Sequence, residues 1–208
     1  MSTAQSQSPS LYPVFVKLAG RKVVLVGGGR VAASKLPALL DAAAEVTVVS
    51  PEIRAEIART GVEVARRAFV PGDLDGAWFV VAAASRDVNR QVAAAAEERH
   101  VFVNAVDDPQ NGSAYLGGVV RRAGVTVAIS TDGRAPALAG LLREGFDAVL
   151  PPGDLQEWMT EAQAARQDWS ARGVPIAERR PLLLRALNRL YEKPGNRRAA
   201  EPVTESDR

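Results

Sequence analysis

The stretch "VVLVGGGRVAASK", Val23–Lys35, decides how the rest of the chain is interpreted. An apolar run of strand composition meets three consecutive glycines, and a segment of helical composition follows. Gly27, Gly29 and Ala32 fit the dinucleotide-binding pattern G-x-G-x-x-G/A. In that pattern the first glycine forms a tight turn, the second lets the backbone approach a pyrophosphate, and the third position is small so that the helix can pack on the sheet. A glycine turn without a ligand fits the same pattern, but the flanking strand and helix favour a dinucleotide, with its phosphates at the helix start near Arg30.

Short apolar runs alternate with helical segments as far as Pro109. The composition predicts strands at Arg21–Val26, Val46–Val49, Val62–Ala65, Trp78–Ala83 and Val101–Val106, and helices at Val31–Ala44, Ile53–Thr60 and Asp87–Arg99. Strands that alternate with helices in this way indicate βαβ units. The predicted fold class is therefore α/β, with a Rossmann-like parallel sheet.

The character of the chain changes after Pro109. Residues 113–130, "SAYLGGVVRRAGVTVAIS", predict an antiparallel strand pair, Ala135–Leu150 predicts a helix, and Asp154–Tyr191 predicts two or three amphipathic helices. Unpaired strand edges and apolar surface in this small element favour a homodimer. The predicted organisation is a disordered arm (1–10), an NAD-binding Rossmann-like domain (11–112), a small α+β dimerisation element (113–150), a C-terminal helical cap (151–193) and a disordered tail (194–208).

Composition excludes several classes of function. The 208 residues include 26 Lys+Arg and 24 Asp+Glu, a net charge of +2, so we expect no nucleic-acid partner. The chain has no cysteine, which excludes disulfides, thiolate metal sites and cysteine nucleophiles and fits a reducing compartment. We expect neither a secretory signal nor a membrane partner, because no apolar run approaches the ~20 residues that span a bilayer. The prediction is a soluble cytoplasmic protein.

The second predicted strand ends in the sequence Ser50-Pro51-Glu52, where an acidic residue for the nucleotide ribose is expected. Glu52 is the candidate, and its alternative interpretation is a solvated carboxylate at a helix start. Arg54 is a candidate for a 2′-phosphate contact instead. The carboxylate favours NAD over NADP and leaves both open.

A candidate base follows the fifth predicted strand, in the sequence "NAVDDP". Asp107 and Asp108 lie at the strand tip, where a carboxylate beside a nicotinamide takes the proton that leaves with a hydride. Asp before Pro is also ordinary turn chemistry. His100 is expected at the opposite edge of the sheet, and no residue set predicts a metal site. Four arginines, either substrate-attracting or simply solvated, follow in the middle segment: Arg121, Arg122, Arg134 and Arg143.

Four segments in this order resemble one family. They are "LYPVFVKLAGRKVVLVGGGRVAASK" (11–35), "VTVVSPEI" (46–53), "VFVNAVDDP" (101–109) and "VTVAISTDGRAPALAGLLRE" (125–144). The chain is similar, over about residues 11–150, to the siroheme-synthase dehydrogenase family. Its members are precorrin-2 dehydrogenases, some of which also act as sirohydrochlorin ferrochelatases.

The resemblance implies NAD-dependent oxidation of precorrin-2, an anionic tetrapyrrole, to sirohydrochlorin by a homodimer. It places the catalytic aspartate at Asp107. It places the nucleotide contacts at Gly27, Gly28, Gly29, Arg30, Val31, Pro51 and Glu52. Insertion of Fe2+ to give siroheme stays open, because no residue set fixes a metal. Methylation is not expected, because the segment that some relatives carry for it is absent here.

The chain departs from the family pattern at two places. Ser34 precedes Lys35 where the family commonly has Arg-Lys, and Asp132 adds a negative charge to a turn that is usually Ser-Ser-Gly-Gly-like. Two other functions remain as alternatives: a dinucleotide-sensing module without catalysis, and an oxidoreductase of the same fold acting on another anionic substrate. Asp107 favours an enzyme over a sensor, because a sensor needs no base beside the nicotinamide.

Overall fold

The computed structural model describes residues 10–192. The predicted tail, and all of the predicted arm except Ser10, lie outside the described residues. The described chain forms two compact units. The first contains the residues up to Gly117 together with Ser130–Ala139, and the second contains Gly118–Ile129 together with the residues from Gly140 onward.

A five-stranded parallel sheet forms the centre of the first unit. Its strands are β1 (Lys22–Val26), β2 (Glu45–Val49), β3 (Glu63–Ala65), β4 (Phe79–Ala82) and β5 (Phe102–Ala105), in the order β3-β2-β1-β4-β5. The register pairs Val26 with both Val49 and Ala82, and Ala82 with Ala105. Val49 also pairs with Ala65, so all five strands end level with one another and the loops that follow them share one edge. The predicted α/β, Rossmann-like fold class is confirmed.

Helices cover both faces of this sheet, which explains why its central strands β1 and β4 are almost entirely apolar. The helices are α1 (Arg30–Asp41), the single turn α2 (Ala55–Ala58) and α3 (Arg86–Glu98). Alternate residues of β1 face opposite layers, since Val23 and Leu25 share a cluster with Leu36 of α1. Val24 and Val26 share the other cluster with Val92 of α3. Each such fully buried side chain contributes roughly 1.5–3 kcal/mol.

The structure corrects the predicted helix at Ile53–Thr60, which was too long. Arg54 has extended backbone (φ −64°, ψ 150°) and α2 begins only at the next residue. The cause is tertiary, because the Arg54 N–H donates to the Gly28 carbonyl at 3.0 Å and holds the chain extended there. A short 3-10 segment at Pro71–Leu74 was not predicted.

The second unit contains the predicted antiparallel pair, formed by β6 (Gly118–Arg122) and β7 (Val125–Ile129). Ala123 and Gly124 join these strands with positive φ at both positions, as in a tight hairpin turn. The helices α4 (Pro136–Val149), α5 (Pro152–Ala171) and α6 (Ile176–Glu192) follow, so the region predicted to hold two or three helices holds two in its described part. Within residues 10–192, we find no helix with the length and apolar character that crossing a membrane requires.

Candidate functional site

The glycine turn after β1 lies in close backbone contact with the loops that follow β2 and β4, the two strands beside β1. A Cβ on Gly27 would lie 2.3 Å from the carbonyl oxygen of Ala83, and its φ of +121° already favours glycine. A Cβ on Gly28 would lie 1.9 Å from the carbonyl oxygen of Glu52. The protein's own packing therefore requires these two glycines, because backbone touches backbone at both positions.

Gly29 differs from its two neighbours, because a Cβ there would meet no protein atom within 4 Å. It is the exposed N-cap of α1, where no side chain caps the helix and the first turn carries no acid. The first bond of the helix is donated by the Ala33 N–H to the Gly29 carbonyl at 3.0 Å. The N–H groups of the first turn, at Arg30 and Val31, therefore have no intrahelical acceptor and border open space. Free N–H groups at an open helix start are the groups that bind a phosphate anion in many proteins.

The loop after β2 lies against this turn and carries the predicted acidic residue. Pro51 and Glu52 are exposed at the strand tip, and the Glu52 backbone contacts Gly28. The neighbouring Arg54 guanidinium is engaged by Glu56, with Nη2 donating to Oε1 at 2.8 Å and Nε to Oε2 at 3.2 Å. These hydrogen bonds are the main reason why the pKa of Glu56 falls to about 2. The structure thus brings Pro51 and Glu52 to the glycine turn.

A buried amide that sequence reasoning missed supports the loop after β4. Asn89 of α3 is only 3% exposed, and its Oδ1 accepts a hydrogen bond from the Ala84 N–H at 3.0 Å. The side chain of Ser85 caps the same helix by accepting from the Val88 N–H. Asn89 therefore fixes the loop that contacts Gly27. The only sequence signal for it is one polar residue on the apolar face of an amphipathic helix.

The two adjacent aspartates after β5 have different surroundings. Asp108 is half-buried, and its Oδ2 accepts a hydrogen bond from Asn111 Nδ2 at 2.8 Å. Asp107 is exposed and has a left-handed backbone, with φ of +57°, a conformation that aspartate tolerates. Asp108 has the contacts of a turn-stabilising residue, whereas Asp107 presents its carboxylate to solvent.

Asp107 leaves the sheet at the edge where the glycine turn lies. The Val106 N–H donates to the Ala82 carbonyl and the Ala83 N–H donates to the Val26 carbonyl, so the tips of β5, β4 and β1 are adjacent. Only β4 separates β1 from β5, which puts their axes roughly 10 Å apart. In open parallel sheets, ligands bind outside the carboxyl ends of the strands where the strand order reverses, which here is between β1 and β4. The glycine turn and Asp107 border that crevice.

The turn at residues 130–133 also reaches this edge. A Cβ on Gly133 would lie 3.2 Å from the Tyr115 ring and 3.3 Å from Pro109, so this turn packs beside the residue that follows Asp108. Arg134, which comes next in the chain, is exposed.

The structure does not leave all the predicted arginines available. In the second unit, the Arg122 guanidinium contacts Asp147 at 3.0 Å and the Leu150 carbonyl at 2.9 Å, and Arg143 contacts Glu144 at 3.2 Å. The described part of the chain contains no group of three or more His, Asp or Glu side chains placed to hold a metal ion.

A glycine turn that joins a buried strand to an uncapped helix, at the reversal point of a parallel sheet, defines a dinucleotide-binding protein of the Rossmann class. The model of the family described as "Putative NAD(P)-binding" matches residues 14–118. The chain belongs to this NAD(P)-binding family.

Among individual proteins, the chain is similar to siroheme synthases. Siroheme synthase 3 of Aeromonas hydrophila subsp. hydrophila is 42% identical over 173 residues, which cover 81% of this chain and 37% of that protein. The siroheme synthase of Photorhabdus laumondii subsp. laumondii is 44% identical over 144 residues, which cover 67% of this chain and 31% of that protein. The chain therefore spans about a third of the length of these curated relatives.

A solved structure of a precorrin-2 dehydrogenase is also similar to this chain, over most of the length of both chains. The structure titled "SirC, precorrin-2 dehydrogenase" superposes with a TM-score of 0.66 at 26% identity, covering 84% of this chain and 88% of that chain. The predicted resemblance to the siroheme-synthase dehydrogenase family is confirmed.

Proposed function

We propose that this chain is an NAD-dependent dehydrogenase that oxidises precorrin-2 to sirohydrochlorin in siroheme biosynthesis. The observation that carries the proposal is an exposed carboxylate, Asp107, at the sheet edge that also presents the open glycine turn. The names of the relatives and of the structural neighbour supply the substrate class.

The cofactor assignment rests on contacts along this edge. The residues that would hold the nucleotide are Gly27, Gly28, Gly29, Arg30 and Val31 for the diphosphate, and Pro51 and Glu52 for the adenine ribose. The Glu52 carboxylate would accept hydrogen bonds from ribose hydroxyls and repel a 2′-phosphate, which favours NAD over NADP. When bound, NAD+ supplies the hydride acceptor, C4 of the nicotinamide ring.

Asp107 would act as the base. Dehydrogenation removes a hydride and a proton, and because the hydride goes to the cofactor, the proton needs a separate acceptor. The exposed carboxylate of Asp107 receives it and passes it to water. Asp108, held by Asn111, fixes the turn that positions Asp107. Arg134, exposed beside this turn, would attract the carboxylates of an anionic tetrapyrrole.

The test compares two adjacent acids. Wild-type protein, Asp107→Asn and Asp108→Asn are incubated anaerobically with precorrin-2 and NAD+, and NADH and sirohydrochlorin are followed by absorbance. We expect Asp107→Asn to lower kcat by roughly 10²- to 10⁴-fold, as loss of a general base does, with a smaller loss for Asp108→Asn. Full activity in Asp107→Asn would remove Asp107 from the mechanism. Wild-type protein that binds NAD+ without turnover would favour the sensing module.

Iron insertion stays a prediction from the resemblance. The same assay tests it when Fe2+ is added after sirohydrochlorin has formed, because siroheme has a distinct absorbance. Cytoplasmic location likewise stays a prediction from composition.

A homodimer is the second part of the proposal. Along α4, large apolar side chains are exposed at helical spacing: Leu138, Leu141, Leu142, Phe146 and Val149. The adjacent strands β6 and β7 pair only with each other among the described residues, so each has a free edge. A second copy of the chain would cover both features.

A further inference from the structure

The contact between Arg54 and Glu56 lies beside the tip of β2, where a Rossmann protein reads the 2′ position of the adenine ribose. Arg54 follows the candidate ribose contact Glu52 by two residues, and its backbone N–H is bonded to the Gly28 carbonyl at 3.0 Å. The side chains of Arg54 and Glu56 are 48% and 50% exposed, so solvent and ligands reach both.

An arginine at this position is the group that accommodates the 2′-phosphate in proteins that use NADP. Here the Nε–Nη2 edge of the guanidinium, which suits a planar bidentate acceptor, is already occupied by the Glu56 carboxylate. Glu56 also adds a negative charge where a phosphate would approach. With a pKa of about 2, Glu56 keeps that charge at neutral pH. The contact thus removes a phosphate-binding group and adds repulsion.

We propose that Glu56 is a specificity-determining residue: by holding the Arg54 guanidinium, it makes the crevice select a dinucleotide with a free 2′-hydroxyl over one with a 2′-phosphate. The inference rests on the proposed function, because it assumes that the adenine ribose lies at the tip of β2. Glu56 is therefore a second acid, besides Glu52, that disfavours NADP: it occupies the Arg54 guanidinium, which would otherwise bind the 2′-phosphate.

The experiment measures Kd for NAD+ and for NADP+ by isothermal titration calorimetry, on the full chain without substrate. The variants are Glu56→Gln, which keeps the shape and removes the charge, and the double variant Glu56→Gln/Arg54→Gln. Glu98→Gln is the matched control, because Glu98 also contacts an arginine, Arg99 at 3.5 Å, but lies at the carboxyl end of α3, toward the opposite edge of the sheet. A thermal melt of each variant verifies folding.

We expect wild-type protein and Glu98→Gln to prefer NAD+. In Glu56→Gln the Kd for NADP+ should fall roughly tenfold, the effect of one charge-assisted hydrogen bond. The double variant should lose most of that gain, because the freed guanidinium is its main source and only the smaller effect of removing the Glu56 charge is left.

Three failing outcomes have separate meanings. If Glu56→Gln leaves the ratio of the two Kd values unchanged while wild-type protein binds NAD+, the role of Glu56 is refuted and the proposed function stands. If the double variant keeps the gain, the Arg54 part of the explanation is refuted. If folded wild-type protein binds neither dinucleotide, the proposed function itself fails.

Discussion

Adding one methyl group should have different effects at two neighbouring glycines. Gly28→Ala is expected to destabilise the fold, whereas Gly29→Ala is expected to weaken nucleotide binding and leave the fold intact. In Gly28→Ala the new Cβ would lie 1.9 Å from the Glu52 carbonyl oxygen and 3.0 Å from Ile53 Cα. Because carbon atoms pack at about 3.5–4.0 Å, the backbone after β2 must move by more than 1 Å. Forced overpacking of this kind costs about 1–3 kcal/mol. At ~2–4 °C per kcal/mol for a chain of this length, Tm should fall by roughly 2–12 °C.

Gly29→Ala should leave folding intact, since φ is −85° there and a Cβ meets no protein atom within 4 Å. Its Tm should equal that of the wild type or rise slightly, because alanine restricts the unfolded chain. The methyl group would occupy the space through which a diphosphate approaches the first turn of α1. We therefore expect the Kd for NAD+ to rise by tenfold or more, about 1.4 kcal/mol.

Thermal unfolding by circular dichroism and NAD+ titration by calorimetry separate the two effects. Gly28→Ala with a wild-type Tm would refute the backbone contact between the glycine turn and the loop after β2. Gly29→Ala with wild-type affinity for NAD+ would refute the placement of the diphosphate.

Three further predictions concern stability and assembly. Asp73→Asn should lower the free energy of unfolding at pH 7 by about 1 kcal/mol, because Arg67 donates to this carboxylate at 2.9 Å. The Arg67 hydrogen bond lowers the Asp73 pKa from its ordinary 3.8, so in urea titrations the difference should be full above that pH and vanish as the pH falls below it. Asn89→Ala should lower the free energy of unfolding by about 1–3 kcal/mol in urea titrations, since it leaves the Ala84 N–H without its acceptor, and an unchanged midpoint would contradict this. Leu141→Glu should convert a dimer to a monomer in light scattering at micromolar concentration, and a wild-type monomer would contradict the homodimer itself.

The sheet was predictable because burial on both faces gives its central strands a continuous apolar run. Val23–Val26 of β1 are all apolar, as helices on both faces of the sheet require, and that run is visible in the sequence. The segment at Pro71–Leu74 was not predictable, because it depends on burial of Leu74 and on the contact between Arg67 and Asp73. Tertiary contacts also shortened the predicted helix at Ile53–Thr60.

The part of the candidate site that a sequence motif defines, the glycine turn, was predictable. The glycine pattern located the turn, but it did not distinguish Gly28, which the loop after β2 requires, from Gly29, which borders open space. The sequence places Asp107 and Asp108 at the same strand tip, and the structure separates them by the exposure and positive φ of Asp107 and by the contact from Asn111 to Asp108. The role inferred for Glu56 depends on which side chain it meets, and no spacing rule gives that.

The most direct test of the central claim is a crystal structure of the wild-type protein with NAD+. We expect diphosphate oxygens within about 3 Å of the amide nitrogens at the start of α1, Arg30 and Val31, with the nicotinamide ring on the side of Asp107. A dinucleotide bound elsewhere, or bound in this crevice with its nicotinamide ring toward β2, would contradict the account.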